Sequence, residues 1–308
     1  LNFKKLIPAV WIVLASLLFA TDSTVRYQGV GHLNVSVVGM LEHAIALFAV
    51  IPLLVFYRKK GVLAHSSKDW FLFLILGVGG SALAGTIFGF SIQYLGPSLA
   101  SLFTMFQPLF VLFFAYYFLG ERYSSFFIPC ALWVVANSIL ISLSGNDLDQ
   151  TFDDPLFFKG TLFALLATAI WGGSTVIGKA LCARYASSTI VFWRFIFALT
   201  FLIAVVWVQA PVESWSPYFE TQQIRLILFL GTVSQAAAYF FYYLGLRKMQ
   251  ASMATFIELL YPLAGVLIAT KATGHGFGFL QTFGAVNLLI ALGLLLSIEY
   301  PKAVRTDP

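Results

Sequence analysis

Apolar residues along this chain come in long blocks, without the strict alternation of a half-buried strand. A bilayer core of about 30 Å is crossed by roughly 20 helical residues. Ten blocks meet that length, at 6–26, 35–57, 69–93, 97–119, 124–143, 157–180, 187–209, 223–246, 250–271 and 277–298. Gly, Pro, Asn and charge clusters separate most of them. The longest connections, SGNDLDQTFDDP after the fifth block and QAPVESWSPYFETQQ after the seventh, are short, so no soluble domain is expected. The pattern predicts an all-α membrane protein with ten transmembrane helices. The first block belongs to a repeat, so it is read as a span and not as a secretory signal.

The blocks repeat. Shifted by 152, VLASLLF (13–19) lies over LLATAIW (165–171), and Ala46, Leu47 and Ile51 lie over Ala198, Leu199 and Ile203. Shifted by 154, Gly77, Ala82, Ser98, Pro108 and Gly120 lie over Gly231, Ala236, Ser252, Pro262 and Gly274. Each half holds five spans, and an odd number turns the second half upside down relative to the first. The expected organisation is two inverted five-helix repeats, 1–145 and 157–300, joined by an outer loop at 146–156 and followed by a tail at 301–308. Inverted repeats give two related states, open inward and open outward, which is the logic of alternating access.

Composition agrees with the pattern: 60% of the 308 residues are hydrophobic and 10% charged, against roughly a quarter charged in a soluble domain. The net charge of +5 does not point to nucleic acid, because the basic residues sit at span ends. With the N-terminus inside, the inner side holds Lys4, Lys5, Arg58, Lys59, Lys60, Lys68, Arg122, Arg184, Arg247, Lys248, Lys302 and Arg305, and the outer side only Arg26, Lys159, Arg225 and Lys271. This bias predicts both termini in the cytoplasm. With loops this short, it suits a bacterial plasma (inner) membrane. Cys130 and Cys182 lie in or near different spans and read as packing residues, offering no disulfide framework or metal site. The sequon Asn34-Val35-Ser36 lies against the membrane and reads as a helix start.

At this point the chain resembles the drug/metabolite transporter superfamily, of the ten-helix EamA type, over residues 6–298. The residues that carry the likeness are Trp171, Gly172 and Lys179 at the opening of the second half, Arg194-Phe195 in its second helix, Pro108 and Pro262 in the fourth helix of each half, and Gly120-Glu121-Arg122. The chain departs from the pattern with Phe19-Ala20 in place of Trp-Gly, Glu42 in place of the Arg, and Gly274-His275-Gly276 in place of Gly-Glu-Arg. The resemblance implies a transporter of small organic metabolites such as amino acids, amines or nucleotide-linked compounds, with no prosthetic group and no ATP site.

Ionised groups inside a bilayer are costly and face protein or a water-filled cavity. At about 1.5 Å per residue, Glu42 lies on the order of 10 Å below the outer surface and Arg194 a similar depth from the inner one. Glu42 mirrors Arg194 through the repeat. Arg194 and Glu258 admit two readings, a salt bridge between the seventh and ninth helices, or a gate or carboxylate clamp. Glu42 either pairs with Arg26 or a neighbouring helix, or attracts a substrate ammonium or carries a coupling proton. Asp22 has the same two readings. Lys179 either snorkels to the inner headgroups or binds ligand, and His43 either packs as a donor or relays protons.

The third helix carries Gly77, Ser81, Gly85 and Gly89, and the matching stripe of the eighth is Gly231, Gln235, Tyr239 and Tyr243. Gln235 and Tyr239 suggest a polar, aromatic wall, to which the fourth helix adds Phe103, Phe106 and Gln107 and the ninth Tyr261. Pro108 and Pro262 each remove a backbone hydrogen bond, and loosened backbone at membrane depth is tolerated where it lines a cavity. The substrate-binding set is therefore Glu42, Arg194, Glu258, Gln235, Tyr239, Phe106, Gln107 and Tyr261. Asp22, Arg26, Glu42 and Lys179 are the coupling or gating set, and Pro108 and Pro262 the helix breaks.

The leading expectation is a secondary transporter for a small zwitterionic or cationic metabolite, such as an amino acid, an amine or a compound like S-adenosylmethionine. Coupling to a proton or counter-substrate and a monomeric or weakly dimeric state go with it. The alternatives are an anionic or nucleotide-linked substrate, or a passive pore. Four histidines spread over 32, 43, 65 and 275 supply no catalytic or metal cluster, so an enzyme is not expected.

Overall fold

The computed structural model describes residues 3–30, 32–56, 66–143, 155–209, 215–261, 263–264, 268 and 278–298. Its helices run in chain order as α1 (Phe3–Val25), α2 (Val35–Phe56), α3 (Ser67–Gly96), α4 (Leu99–Leu119), α5 (Phe127–Leu143), α6 (Pro155–Cys182), α7 (Ser187–Val208), α8 (Thr221–Leu246), α9 (Ala251–Glu258) and α10 (Phe279–Ile298). Seven are long and apolar enough to cross a membrane, and α1 and α5 hold shorter apolar cores, Leu6–Asp22 and Phe127–Ile141. The described residues contain no strand. This is an all-helical integral membrane protein.

Local chemistry sets the helix ends. Asn34 begins α2, its Oδ1 accepting from the amides of Ser36 (2.9 Å) and Val37 (3.3 Å), which is the helix-start role read from its sequence. Ser66 caps α3 by accepting from the Asp69 amide. Gly96, at φ 75°, separates α3 from α4 in a conformation that only glycine adopts without strain. The α4 backbone breaks at Met105 and Phe106, just before Pro108. α9 breaks at the corresponding Leu259 and Leu260. Pro262, expected to cause that break, lies outside the described residues, as do His275 and Lys271.

Short π-helical stretches follow α1 (Arg26–Val30) and end α4 (Ala115–Leu119), and two longer ones, which the spacing of apolar residues did not predict, lie inside α3 and α8: Ile75–Leu83 and Leu230–Ala237. The two longer ones occupy repeat-related positions. Such insertions rotate the residues that follow and are frequent at functional sites. Here they bring Gly80, Ser81 and Ala82 together to one cavity, which a strict every-fourth-residue stripe does not do.

The packing carries the repeat into three dimensions. α2 packs on α8 and α7 on α3; α1 packs on α8 and α3 with α6; α2 meets α7, and α5 meets α10. Exchanging the first five helices for the last five maps this set onto itself. A Cβ at Gly77 would lie 2.6 Å from the Arg194 carbonyl oxygen and 2.6 Å from the Phe197 Cβ. A Cβ at Gly231 would lie 2.7 Å from the Glu42 carbonyl oxygen and 2.7 Å from the Ile45 Cβ. The four partners are themselves related by the same 152-residue shift. Each glycine lets two helices from opposite halves touch backbone to backbone. Two inverted five-helix repeats therefore meet across α2, α3, α7 and α8.

Candidate functional site

Between the halves lies a cavity of about 180 Å³. Its lining comes in repeat-related pairs: Phe19 and Trp171, Asp22 and Ser174, Glu42 and Arg194, Ser81 and Gln235, Gly85 and Tyr239, Thr104 and Glu258, Gln107 and Tyr261. Of the residues singled out from sequence, Glu42, Arg194, Glu258, Gln235, Tyr239, Gln107, Tyr261, Asp22, Arg26 and Pro108 line it. Phe106 and Lys179 do not. Phe106 sits at the backbone break of α4. Lys179 donates to the carbonyl oxygens of Leu246 (2.9 Å) and Arg247 (3.2 Å), so it satisfies the C-terminal end of α8 and stands apart from the cavity.

On the first half, Arg26 at the end of α1 joins two carboxylates. Its Nε and Nη2 donate to the two oxygens of Asp22, both at 3.1 Å, and Nη2 also donates to Glu42 Oε2 at 2.8 Å. Glu42 is 3% exposed, so this partner is what makes its burial tolerable. The pairing reading of Glu42 and Asp22 is the one this arrangement contains. The neighbouring His43 donates from Nδ1 to the Gly39 carbonyl at 2.7 Å and packs edge-on against Phe195. A carbonyl can only accept, so Nε2 of the neutral ring is an acceptor, and it has no partner among the described residues.

On the second half, Arg194 is 2% exposed and each of its nitrogens is engaged. Nε donates to Ser81 Oγ at 2.6 Å, Nη1 to the Tyr243 hydroxyl at 2.9 Å, and Nη2 to the Gly80 carbonyl at 2.8 Å and the Tyr239 hydroxyl at 3.0 Å. The guanidinium carbon also stands 4.0 Å from the centre of the Tyr239 ring. Trp171 Nε1 shares the Gly80 carbonyl at 3.0 Å. The Arg194–Glu258 salt bridge considered from sequence does not form, because neutral oxygens of α3 and α8 reach the guanidinium first. Glu258 Oε2 has no hydrogen-bond partner among the described residues. It lies beside Tyr242, whose hydroxyl is 3.1 Å from Thr175 Oγ1.

Sequence reasoning missed a second set of contacts between the halves, at the end where α3 begins and α6 ends. Asp69, 1% exposed, accepts from the Tyr185 hydroxyl at 2.7 Å and pairs with Arg184. Glu121, just after α4, accepts from the Ala251 amide (2.6 Å) and from Ser252 Oγ (2.6 Å), closing the start of α9. Arg247 adds a bond to the Tyr185 carbonyl at 2.9 Å. At the opposite end the residues related to Asp69, Arg184 and Tyr185 are Gln223, His32 and Leu33, which cannot form this network. A usable signal was Asp69 and Glu121 themselves, acids near span ends; the sequence reading used Glu121 only within Gly120-Glu121-Arg122 and gave Asp69 no role.

Comparison with known proteins now decides the class. The sequence profile of the EamA-like transporter family matches residues 6–143 and again 158–298. The chain belongs to the EamA-like transporter family. Among relatives of this EamA chain, the riboflavin transporter ImpX of Fusobacterium nucleatum is 20% identical over 290 residues, covering 92% of this chain and 95% of the relative. The pseudopaline exporter CntI of Pseudomonas aeruginosa is 26% identical over 227 residues, 72% of each chain. The mouse solute carrier family 35 member G1 is 27% identical over 71% of this chain and 59% of the relative. A solved crystal structure superposes with a TM-score of 0.78 at 16% identity, covering 94% of this chain and 96% of the other, a likeness of fold. The EamA chain is thus a membrane transporter of small molecules and not an enzyme.

Proposed function

We propose that this transporter moves a small zwitterionic or cationic organic metabolite by alternating access, binding it in the cavity between the repeats. The observation that carries the reading is Glu258, which lines a cavity that also holds Asp22 and Glu42 against Arg26 and Arg194 and whose buried Oε2 has no hydrogen-bond partner among the described residues. Three carboxylates against two guanidiniums leave the site short of positive charge, which a substrate ammonium supplies. The rings of Phe19, Trp171, Tyr242 and Tyr261 around it favour a cation further.

A volume of about 180 Å³ is smaller than the roughly 300 Å³ at which pockets for drug-sized ligands begin. That favours an amino acid or amine over nucleotide-linked compounds. The relatives named for riboflavin and pseudopaline transport give the family range without fixing this chain's substrate. Alternating access is supported by the pseudo-twofold packing and by a polar network whose residues are not matched at the repeat-related positions Gln223, His32 and Leu33. Asp69–Arg184, Tyr185 and Glu121 close the end that the Lys/Arg bias assigns to the cytoplasm, as expected of an inward-closed state.

The test is uptake into proteoliposomes of labelled lysine, phenylalanine, S-adenosylmethionine, glutamate and riboflavin. Saturable uptake of one or more of the first three, lost in Glu258→Gln, is expected. Preference for glutamate or riboflavin, or unchanged uptake in Glu258→Gln, overturns the reading. Single-channel currents in planar bilayers would establish a pore instead.

A further inference from the structure

The sequence suggests Arg194 as a clamp for a substrate carboxylate. Its geometry argues for a different division of labour. The guanidinium is a donor-only group, and its three nitrogens already serve Ser81, Gly80, Tyr239 and Tyr243. The ring of Tyr239 lies against it at 4.0 Å, and the residue is 2% exposed. Four of its five N–H groups are spent in this way, which leaves a single Nη1 hydrogen for anything in the cavity.

The two phenols are in another position. Because an arginine nitrogen can only donate, the Tyr239 and Tyr243 hydroxyl oxygens must accept from it at 3.0 and 2.9 Å. Each hydroxyl then has its own hydrogen left to give, polarised by the cation behind it. Both residues line the cavity, Tyr239 half-buried and Tyr243 only 1% exposed, and their rings stack with centroids 6.4 Å apart on successive turns of α8. The repeat-related positions on α3 are Gly85 and Gly89, which carry no donor, so this pair exists on one side of the cavity alone.

We propose that the Tyr239 hydroxyl is the seat for a carboxylate of the substrate, with Arg194 and the buried Tyr243 as positioning residues that orient and polarise it from behind. The inference rests on the substrate reading above and narrows it: the transported molecule carries a carboxylate as well as an ammonium, as an amino acid does and a simple amine does not. The seat and Glu258 then read the two ends of one zwitterion.

The experiment measures uptake by the full chain in proteoliposomes for two matched pairs, lysine with cadaverine and phenylalanine with phenethylamine. Each pair differs by the carboxylate. In the native protein the carboxylated member is expected to be favoured at least about tenfold in Vmax/KM, the scale of one hydrogen bond to a charged group. Tyr239→Phe keeps the ring and is expected to lower that ratio by about tenfold, through KM, and Tyr243→Phe to lower it in the same direction by less. Arg194→Lys, which keeps the charge but cannot span both phenols, is expected to lower the ratio in the same direction. A purely structural role for these residues would reduce both members of a pair together and leave the ratio unmoved, and that result overturns the inference. So does a native protein that takes up amine and amino acid equally, although the cationic-substrate reading then survives. Uptake of neither pair, with S-adenosylmethionine also refused, defeats that reading and this inference with it.

Discussion

The positions of Glu42 and Arg194 are the same position in two copies of one fold, yet they carry opposite charges and solve burial differently. Both backbones lie under a glycine of the other half, Gly231 over Glu42 and Gly77 over Arg194. Glu42 is neutralised from within its own half by Arg26, itself shared with Asp22. Arg194 meets no carboxylate and is held by neutral oxygens from both halves, two of them phenols. The difference teaches that the repeat conserves backbone packing while the side chains divide the labour. One side of the cavity is a balanced charge cluster, and the other is a donor surface with a cation behind it.

The backbone half of that comparison predicts the largest effects. A leucine at Gly77 or Gly231 has no room, since even the first carbon would sit 2.6–2.7 Å from a carbonyl oxygen. Alanine alone forces overpacking worth about 1–3 kcal/mol. Gly77→Leu and Gly231→Leu are both expected to abolish monodisperse protein in detergent, and the two alanine variants to lower the unfolding temperature by similar amounts. Very unequal effects of the alanine pair would break the claim of equivalent packing.

The side-chain half predicts an inequality. Arg194→Ala strips donors from Ser81, Gly80, Tyr239 and Tyr243 at once, whereas Glu42→Gln leaves Arg26 still paired with Asp22. One buried polar group left unsatisfied costs about 1–3 kcal/mol. Thermal unfolding in detergent is expected to show a clear loss for Arg194→Ala and a smaller one for Glu42→Gln. If Glu42→Gln proves the more damaging, Arg26 depends on Glu42 more than on Asp22 and the charge cluster is not balanced as described.

A second contrast, between the two ends, gives the next effect. Asp69→Asn weakens the link to Arg184 and Tyr185, while Gln223 at the related position has no such link. Cys182, 2% exposed at the end of α6, reports on that closed end. In a Cys130→Ser background, maleimide labelling of Cys182 is expected to rise several-fold in Asp69→Asn and to stay unchanged in Gln223→Ala. Equal rates in all three would show that the network does not hold this end shut.

Much of this architecture was legible in the residues, because membrane spans are written in long apolar blocks and an inverted repeat in residue shifts. The cavity wall was legible where a polar side chain interrupts such a block, as at Glu42, Arg194, Gln235 and Glu258. Who pairs with whom was not. The π-helical stretches at Ile75–Leu83 and Leu230–Ala237 shift the helical phase, so counting in fours put Ser81 and Gly85 on a stripe but did not bring in Gly80, whose carbonyl serves two side chains. The Asp69 and Glu121 contacts join residues more than a hundred positions apart, and periodicity says nothing about such pairs.

Lys179 gives the smallest effect and the sharpest boundary to the site. It is one residue on from Gly178, the position related to Arg26, and as a cation near the repeat's charged positions it invites a role in binding. Its ammonium instead serves two carbonyls at the end of α8, a place where a cation also meets the favourable end of the helix dipole. Lys179→Met keeps the stem's packing and removes those bonds, so it should cost about 1 kcal/mol of stability and leave the substrate ratio of each matched pair where it was. A shift in that ratio would mean that the end of α8 communicates with Tyr239 and Tyr243 one to two turns away, and that the donor surface is set by the whole helix and not by Arg194 alone.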